Sequence, residues 1–510
     1  MAKTSKTSKS GKSSRTAATG VMTAVVVIII LVVAGYFTYI SGILPKAMTG
    51  VGITETLSDG STKTVKNFSV LETNFHYKEV YDSYSQYGMV SEDTLDEIYD
   101  SASGETYRDW LLRETAKQMK TLALVERAAQ QNGFMQYSKA RAVAAKNLET
   151  LDLYSKMYGF QSGQQYLQAV YGTGMTRRTY TDFQAREVLV QEYGNYLKQF
   201  DPAIIPTDDQ VNERFNEDPF RFYVYDYNMF YVAADKDDEG KVIDYDNCVA
   251  SAEKIANATK DSATFRQAVM DYLKEKGDED TLAAYDDGAD PTFSEGKTYS
   301  TATYMSSDVK AFIFSDNAAG DVKTIKTDYG VYVVYIADKR LDETANVTYR
   351  VLTLSTGVTN ESTPEEITAA VEKTKADAAS YCTQGMDPLS FYNTVKSHSE
   401  DSDAILSGGY NGDATAESLK PLEGEGQDPA EAEAEAWLFE SERKQGDIKI
   451  VVSADNKTVF VYYFEASRLA WQSSVRNELI TSNFEKWNSD LESGNVGYTV
   501  NAGLIKYLIY

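Results

Sequence analysis

The chain has 510 residues, of which 42% are hydrophobic and 12% aromatic, and this composition excludes a predominantly disordered protein. Its net charge of −26 at pH 7 disfavours nucleic-acid binding, and the sequence contains no basic recognition motif. The two cysteines, Cys248 and Cys382, form neither a CxxC nor a zinc pattern, and whether they form a disulfide is left open. We interpret the two histidines, His76 and His398, as structural, and predict no metal, no cofactor and no nucleic-acid partner.

Basic residues followed by an uncharged apolar run make up the N-terminus. All charges in residues 1–20 are Lys or Arg, and residues 21–43 are almost entirely apolar. A helix rises about 1.5 Å per residue, so this run is long enough to cross a hydrocarbon core of about 30 Å. The pattern predicts a cytoplasmic tail at 1–20, a single transmembrane helix at 21–43 and an extracytoplasmic location for the rest. A cleaved signal peptide is the alternative, but its apolar region would be shorter.

A helical region follows a Gly- and Thr-rich spacer at 44–66. Apolar residues recur at helical spacing in predicted helices at Tyr107–Gln131 and Tyr137–Met157, with glycines in the connecting segments. The sequence therefore predicts an all-α domain over residues 67–206.

An internal repeat with a period of about 122–128 residues occupies much of the remaining chain. Each copy has a strand, a helix, short helices, an apolar helix end, a Gly-Asp turn and a closing strand. The turns begin at Gly320 and Gly446. Because three separate blocks agree in order and spacing, we interpret 207–340 and 345–470 as two copies of one β-α unit. We expect the helix and tail at 471–510 to pack back onto the helical domain.

Four segments carry a family resemblance. They are KTDYGVYVV at 326–334, SEDSDAILSGGYNG at 399–412, AWLF at 436–439 with GDI at 446–448, and IPTDDQV at 205–211. The first three resemble motifs of the parvulin (PpiC-type) peptidyl-prolyl isomerases. The fourth, which leads from the helical region into the first unit, is similar to SurA and PrsA type foldases. The resemblance covers about residues 67–510.

The fold class implied by the resemblance is α+β. It comprises an N-terminal transmembrane helix, an all-α chaperone-like domain and two parvulin-like β-α units with small antiparallel sheets. A C-terminal helix packs back onto this arrangement.

The resemblance also implies candidate site residues, although none of them is the expected histidine. Parvulins pair two histidines on adjacent strands inside a small apolar proline pocket. The first-strand positions correspond to Asn228 and Arg350, and the last-strand positions to Tyr332 and Phe460. Asp401 lies where the family often has Asp or Cys, and is the candidate catalytic residue; a turn-capping role is the open alternative. Further predicted substrate contacts are Phe312, Thr327, Trp437 and Phe439.

The expected function is that of a membrane-anchored, bacterial-type folding factor outside the cytoplasm. It would bind unfolded or secreted polypeptides with weak or absent isomerase activity, because other residues occupy the positions of the family's histidines. One alternative is an active peptidyl-prolyl isomerase. Another is a structural or assembly protein that binds one fixed partner. The oligomeric state is left open.

Overall fold

The computed structural model describes residues 42–134, 137–416, 426 and 428–508. The described chain is organised in two units: unit 1 contains its residues up to 197 and from 485 onwards, and unit 2 contains its residues from 198 to 484.

Unit 1 combines helices with short strands. Its helices are Ile43–Ala47, Val70–Ser85, Glu92–Thr94 (3-10), Tyr107–Gln131, Tyr137–Met157, Gly163–Tyr171, Arg177–Phe200 (which continues into unit 2) and Ala502–Leu508. Its strands are Thr49–Thr56, Thr62–Ser69, Ile98–Asp100, Glu105–Thr106 and Val496–Val500.

A three-stranded antiparallel sheet joins residues from both ends of the described chain in unit 1. Thr49–Thr56 is its central strand, and Val51 pairs with Val500 on one side and with Phe68 on the other. Val51 and Phe68 are fully buried against Met119 of helix Tyr107–Gln131. Because successive side chains of a strand point to opposite faces, one face of the sheet packs on this helix.

Side-chain caps begin several of the helices. The Ser69 hydroxyl accepts a hydrogen bond from Glu72 N at 3.1 Å, and the Thr106 hydroxyl accepts one from Asp109 N at 3.2 Å. Each cap satisfies one of the backbone N–H groups that have no partner in the first turn of a helix. These local signals can be recognised in the sequence and fix where the long helices begin.

Unit 2 contains two β-α units and a long C-terminal helix. Its strands are Tyr223–Ala233, Phe293–Lys297, Val322–Thr327, Gly330–Leu341, Ala345–Ser355, Tyr410–Ala414, Ile448–Val452 and Thr458–Leu469. Its helices are Asp208–Glu217, Pro219–Phe222 (3-10), Tyr245–Ala258, Ser262–Lys276, Glu279–Ala283, Asp286–Gly288 (3-10), Ser307–Ile313, Pro364–Tyr381, Pro388–His398, Ser402–Ser407, Pro429–Leu438 and Ala470–Glu492, which ends in unit 1.

The two four-stranded sheets of unit 2 have the same antiparallel strand order. In the first sheet the central strands are Tyr223–Ala233 and Gly330–Leu341, flanked by one short strand on each side. In the second sheet Ala345–Ser355 and Thr458–Leu469 occupy the same places. In both sheets the second strand along the chain lies outside the first, and the third lies outside the fourth.

The Gly-Asp turns have equivalent hydrogen bonds in the two sheets. Gly320 donates its N–H to Ile336 O at 2.8 Å, and Gly446 donates its N–H to Phe464 O at 3.0 Å. The N–H groups of Ile336 and Phe464 donate to the aspartate carbonyl oxygen of their own turn, each at 2.9 Å. The two stretches that the sequence repeat identifies therefore share topology and local hydrogen bonding.

The two cysteines are free and buried, one in each β-α unit. Cys248 Sγ donates to Val232 O at 3.1 Å. Burial raises the pKa of the Cys382 thiol to about 12. The disulfide that the sequence left open is not formed.

The predicted fold class is wrong. The described chain is a mixed α/β protein with small antiparallel sheets, and the region predicted to be all-α contains the hairpin Ile98–Asp100 with Glu105–Thr106. Among the residues that the structure describes, no helix has the length and hydropathy needed to span a membrane. The predicted anchor at 21–43 and the tail at 1–20 fall, apart from residues 42 and 43, outside the described residues. The extracytoplasmic location stays a prediction.

Alanine at Gly446 should destabilise the second sheet more than alanine at Gly320 destabilises the first. Both glycines have left-handed backbones, with φ of +93° and +100°. A Cβ at Gly446 would lie 2.8 Å from the Cα of Gly385, whereas at Gly320 it would meet open space. The backbone conformation costs about 1–2 kcal/mol in both variants, and overpacking adds about 1–3 kcal/mol at Gly446 alone.

Amide hydrogen exchange of the full-length chain measures this difference. Gly446→Ala should accelerate exchange in Thr458–Leu469 more than Gly320→Ala accelerates it in Gly330–Leu341. Equal acceleration in the two sheets would contradict the role assigned to the Gly446–Gly385 approach.

Candidate functional site

Each face of the first sheet in unit 2 packs on different elements. One face, here the helical face, contains Val333 and Tyr335, which pack on helices Tyr245–Ala258 and Ser262–Lys276. The other, here the aromatic face, contains Tyr227 and Val334 and packs on helix Ser307–Ile313. The alternation of side chains along each strand separates the residues of the two faces.

Three of the predicted contact residues lie at the aromatic face. The ring of Tyr332 is 4.6 Å from the ring of Tyr231, centroid to centroid, and the Tyr231 hydroxyl is 3.3 Å from Thr327 Oγ1. Phe312 packs in the same cluster, with the Lys323 Nζ 5.2 Å from its ring centroid. Tyr231 and Tyr332 are partly exposed, so this face presents aromatic rings to solvent.

Asn228 lies on the opposite, helical face and is fully buried. Its Nδ2 donates to Asp290 Oδ2 at 3.0 Å and to Thr292 Oγ1 at 2.9 Å. The strand register pairs Asn228 with Tyr335, while Tyr332 pairs with Tyr231. Residues 228 and 231 are an odd number of positions apart, so they face opposite sides of the sheet. The structure does not bring Asn228 and Tyr332 into one pocket.

The second sheet separates its predicted residues in the same way. Phe460, Trp437 and Phe439 belong to one cluster, in which the Arg443 guanidinium lies 5.2 Å from the Trp437 ring. Arg350 pairs with Tyr463, whose side chain belongs to the cluster on the other face. The paired positions expected from the parvulin motif are therefore on opposite faces in both copies.

Arg350 is the largest fully buried side chain of the described residues, and its contacts are internal. Its Nε donates to Glu465 Oε2 at 2.7 Å, and its Nη1 donates to Gln199 Oε1 at 2.8 Å and to Gly408 O at 3.2 Å. The guanidinium also lies 5.1 Å from the ring centroid of Phe200. A buried cation destabilises the fold unless acceptors and a counter-charge surround it, as they do here. Because these acceptors come from different segments, Arg350 joins its strand to the neighbouring segments of unit 2.

Asp401 begins a helix. Its Oδ1 accepts hydrogen bonds from Asp403 N at 2.9 Å and from Ala404 N at 3.4 Å, at the start of helix Ser402–Ser407. The side chain is exposed. The geometry is that of an N-cap, the alternative interpretation of this aspartate. Close by in sequence, the ring of His398 stacks on Tyr381 at 3.8 Å.

An exposed apolar surface lies at the C-terminal end of helix Tyr137–Met157 in unit 1. We call it the helix-end patch and define it by four side chains with high fractional exposure: Leu153 at 65%, Tyr154 at 52%, Met157 at 74% and Tyr158 at 69%. Residues four apart on a helix share a face, so Leu153 and Met157 form one row with Tyr154 beside it. Tyr158 directly follows the helix and donates its N–H to Tyr154 O at 3.1 Å. Clustered exposure of large apolar side chains marks an interaction surface, unlike single exposed residues.

A second apolar surface of unit 1 surrounds Trp110. The ring of Tyr99 stacks on Trp110 at 4.7 Å, and Tyr84 lies 4.7 Å from the same ring. Ile98, beside Tyr99, is exposed, as are Tyr87 and Met89. The sequence predicted an all-α domain in this region but not which apolar residues stay exposed, because periodicity does not identify what covers each face.

An ionisable cluster around the buried His76 in unit 1 was missed from the sequence. His76 Nδ1 lies 3.0 Å from Glu187 Oε1 and 3.4 Å from Glu79 Oε2. The three potential ligand atoms lie within 4.8 Å of one another, and imidazole and carboxylates are ligand types that divalent cations accept. A protonated His76 that donates to the two carboxylates is the alternative to a bound cation, and it accounts for the same distances. His76 and Glu187 are on different helices and far apart in sequence, so only the fold brings them together.

The cluster shifts the pKa values of its members. Burial acts to lower the pKa of His76, but hydrogen bonds to Glu187 and Glu79 outweigh it and raise this pKa to about 9. Burial raises the pKa of Glu79 to about 7, although the hydrogen bond to His76 acts in the opposite direction. Arg186, nearby in sequence, forms ion pairs with Glu72 and Glu126. The cluster thus holds charge inside unit 1 near neutral pH.

No protein-family model matches this chain, and no curated protein matches it either. The parvulin and foldase resemblance therefore depends on the short sequence segments and stays a prediction. A function for this chain has to be inferred from the contacts and exposed surfaces of its described residues.

Removal of the Arg350 side chain should destabilise unit 2 strongly. Arg350→Leu leaves the Glu465 carboxylate without the cation that lies 2.7 Å away, at an expected cost of about 3–5 kcal/mol. Arg340→Leu is the matched control, because it removes an ion pair of the same length to Asp226 from a partly exposed site, at about 0–1 kcal/mol. Urea unfolding followed by circular dichroism compares them.

The double variant Arg350→Leu with Glu465→Leu tests the cause. It should recover part of the lost stability, since no buried charge then lacks a partner. If Arg350→Leu costs no more than Arg340→Leu, the buried ion pair does not have the stabilising role described here.

The stability of unit 1 should fall as the pH rises from 7 to 10. The pKa of His76 is about 9 in the folded protein against an ordinary 6.5, so the native state binds this proton more tightly. The resulting stability is fully present below pH 6.5 and is lost as the pH rises through 9, at a cost on the order of 2–3 kcal/mol. The raised pKa of Glu79 changes the stability of the folded state between pH 4.5 and pH 7, below this pH range.

Urea midpoints at pH 7 and pH 10 measure the effect. His76→Gln should reduce the difference between the two midpoints, while His398→Gln, which removes the other histidine, should leave it unchanged. An undiminished pH dependence in His76→Gln would rule out His76 as its source.

Proposed function

We propose that this chain is a protein-folding factor that binds unfolded polypeptides through exposed apolar surfaces of unit 1. The helix-end patch is the observation that carries the proposal. Leu153 and Met157 are each at least 65% exposed and lie one helical turn apart. Soluble proteins rarely leave such side chains clustered in water unless a partner covers them.

The chemistry of the patch suits weak binding without sequence choice. Fully burying one large apolar side chain contributes about 1.5–3 kcal/mol, so a chain that covers two or three of them is held reversibly. Tyr154 and Tyr158 add contact area with a polar tip that tolerates water. A surface of this kind accepts any extended segment with apolar side chains, as unfolded chains present.

The β-α units of unit 2 would act as secondary binding sites rather than as strong catalysts. The partly exposed rings of Tyr231 and Tyr332 offer a contact surface for an extended chain. Isomerisation of X-Pro bonds crosses a barrier of about 18–20 kcal/mol. The candidate polar residues Asn228 and Arg350 make internal hydrogen bonds on the other faces of their sheets, which argues against a role for them in lowering that barrier.

Suppression of aggregation tests the proposal. The full-length chain is added at several-fold excess over a chemically unfolded client, and light scattering measures aggregation. The variant Leu153→Ser with Met157→Ser removes the two most apolar side chains of the patch, and should weaken suppression several-fold. Tyr304→Ser is the matched control, because Tyr304 is also highly exposed but lies in unit 2, outside the patch.

The proposal fails if the unaltered protein does not suppress aggregation, or if the patch variant and Tyr304→Ser suppress it equally well. Circular dichroism of each variant checks that the helices remain folded. A proline-exchange assay on the same proteins measures isomerisation separately, and we expect little acceleration above the uncatalysed rate.

A further inference from the structure

A cavity of about 440 Å³ in unit 2 is lined mainly by polar side chains. They come from the start of helix Asp208–Glu217, the end of strand Thr458–Leu469 and the first turns of helix Ala470–Glu492. The polar lining residues are Asp208, Asn212, Ser467, Arg468, Gln472 and Arg476. The volume lies in the range of small-molecule sites.

Two arginines give this cavity a positive character in a protein of net charge −26. Among the described residues, neither Arg468 nor Arg476 has a carboxylate oxygen within 4.0 Å, whereas Arg214 and Arg221 of the same unit both pair with Glu478. Arg476 donates one hydrogen bond, from Nη1 to Pro206 O at 2.9 Å. Within the described part of the chain, the remaining guanidinium donors have no carboxylate to bind.

The two guanidinium groups repel each other. Burial lowers the pKa of Arg476, and the like charge of Arg468 lowers it further, while Asp208 and Glu465 act more weakly in the opposite direction. Two like charges that face one cavity are stabilised when an anion binds between them.

The backbone adds to the positive potential at this place. Asp208 is the first residue of a ten-residue helix, and the Thr207 side chain caps this helix by accepting a hydrogen bond from Gln210 N. Helix N-termini carry a partial positive charge from the N–H groups of the first turn. The Asp208 carboxylate offsets part of this charge, so the arginines provide most of the attraction.

We propose that this cavity binds a small oxyanion, a carboxylate or a phosphate, through Arg468 and Arg476. Guanidinium groups bind the oxygen pairs of both anions with two parallel hydrogen bonds. The carboxylate would come from the C-terminal end or an acidic side chain of a polypeptide, and the phosphate from a free metabolite. The cavity is larger than either anion, so the ligand carries additional atoms. The inference is independent of the helix-end patch.

Isothermal titration of the full-length protein tests the site with three probes. They are inorganic phosphate, N-acetylalanine with a free carboxylate, and N-acetylalanine amide, which has no charge. At least one of the two oxyanions should bind, the amide should bind at least ten-fold more weakly, and affinity should fall as salt increases. The oxyanion that binds more tightly identifies the source of the ligand.

Variants connect the binding to the two arginines. Arg468→Gln is the informative change, because in the described residues the Arg468 side chain makes no hydrogen bond or ion pair that its loss would break. It should weaken oxyanion binding at least ten-fold, and Arg468→Lys should keep the charge but lose the paired hydrogen bonds and bind with intermediate affinity. Arg340→Gln, in the first sheet, should bind like the unaltered protein.

The proposal is overturned by any of three results. The first is no binding of either oxyanion at tens of millimolar concentration. The second is equal affinity for N-acetylalanine and its amide. The third is unchanged affinity in Arg468→Gln. Circular dichroism checks the folding of each variant, so loss of binding is not confused with loss of structure.

Discussion

In both β-α units of unit 2, antiparallel pairing of two long central strands determines which side chains share a face. Tyr223–Ala233 pairs with Gly330–Leu341, and Ala345–Ser355 with Thr458–Leu469, each along nearly its whole length. Successive side chains point to opposite faces, so a shift of one residue would move the side chains of each face to the other. The helices that cover each sheet, and the surfaces left exposed, depend on this register.

The equivalent strand position in the two β-α units shows how such a fold accommodates a buried polar side chain. Asn228 and Arg350 both pair with a tyrosine of the neighbouring central strand, Tyr335 and Tyr463. Asn228 donates hydrogen bonds to the Asp290 carboxylate and the Thr292 hydroxyl of the first β-α unit. Arg350 requires the Glu465 carboxylate and further acceptors. Because buried polar groups destabilise the fold unless they are hydrogen-bonded, each copy contains partners suited to its own side chain. The two residues are therefore not interchangeable, although the backbones are equivalent.

The two units contain surfaces of different chemistry. In unit 1, the helix-end patch is apolar and exposed, while the buried His76 pairs with the partly exposed Glu187. In unit 2, Arg468 and Arg476 give a cavity a positive character within a strongly acidic chain. Apolar contact gives affinity without sequence choice, whereas paired guanidinium groups select for oxyanions. A protein with both would recognise unfolded segments and charged groups by separate physical means.

The sequence by itself determined the features that depend on neighbouring residues. Helices Tyr107–Gln131 and Tyr137–Met157 were predicted with their observed bounds, because apolar spacing and capping are local signals. The repeat predicted equivalent Gly-Asp turns, and the structure confirms their equivalence in hydrogen bonding. Tertiary structure alone decided which distant residues meet. It paired Val51, in the predicted spacer, with Val500, in the predicted C-terminal tail, and it placed Asn228 and Tyr332 on opposite faces. Strand register, cross-helix ion pairs and the covering of apolar faces all depend on contacts between residues far apart in the chain, which local sequence patterns do not encode.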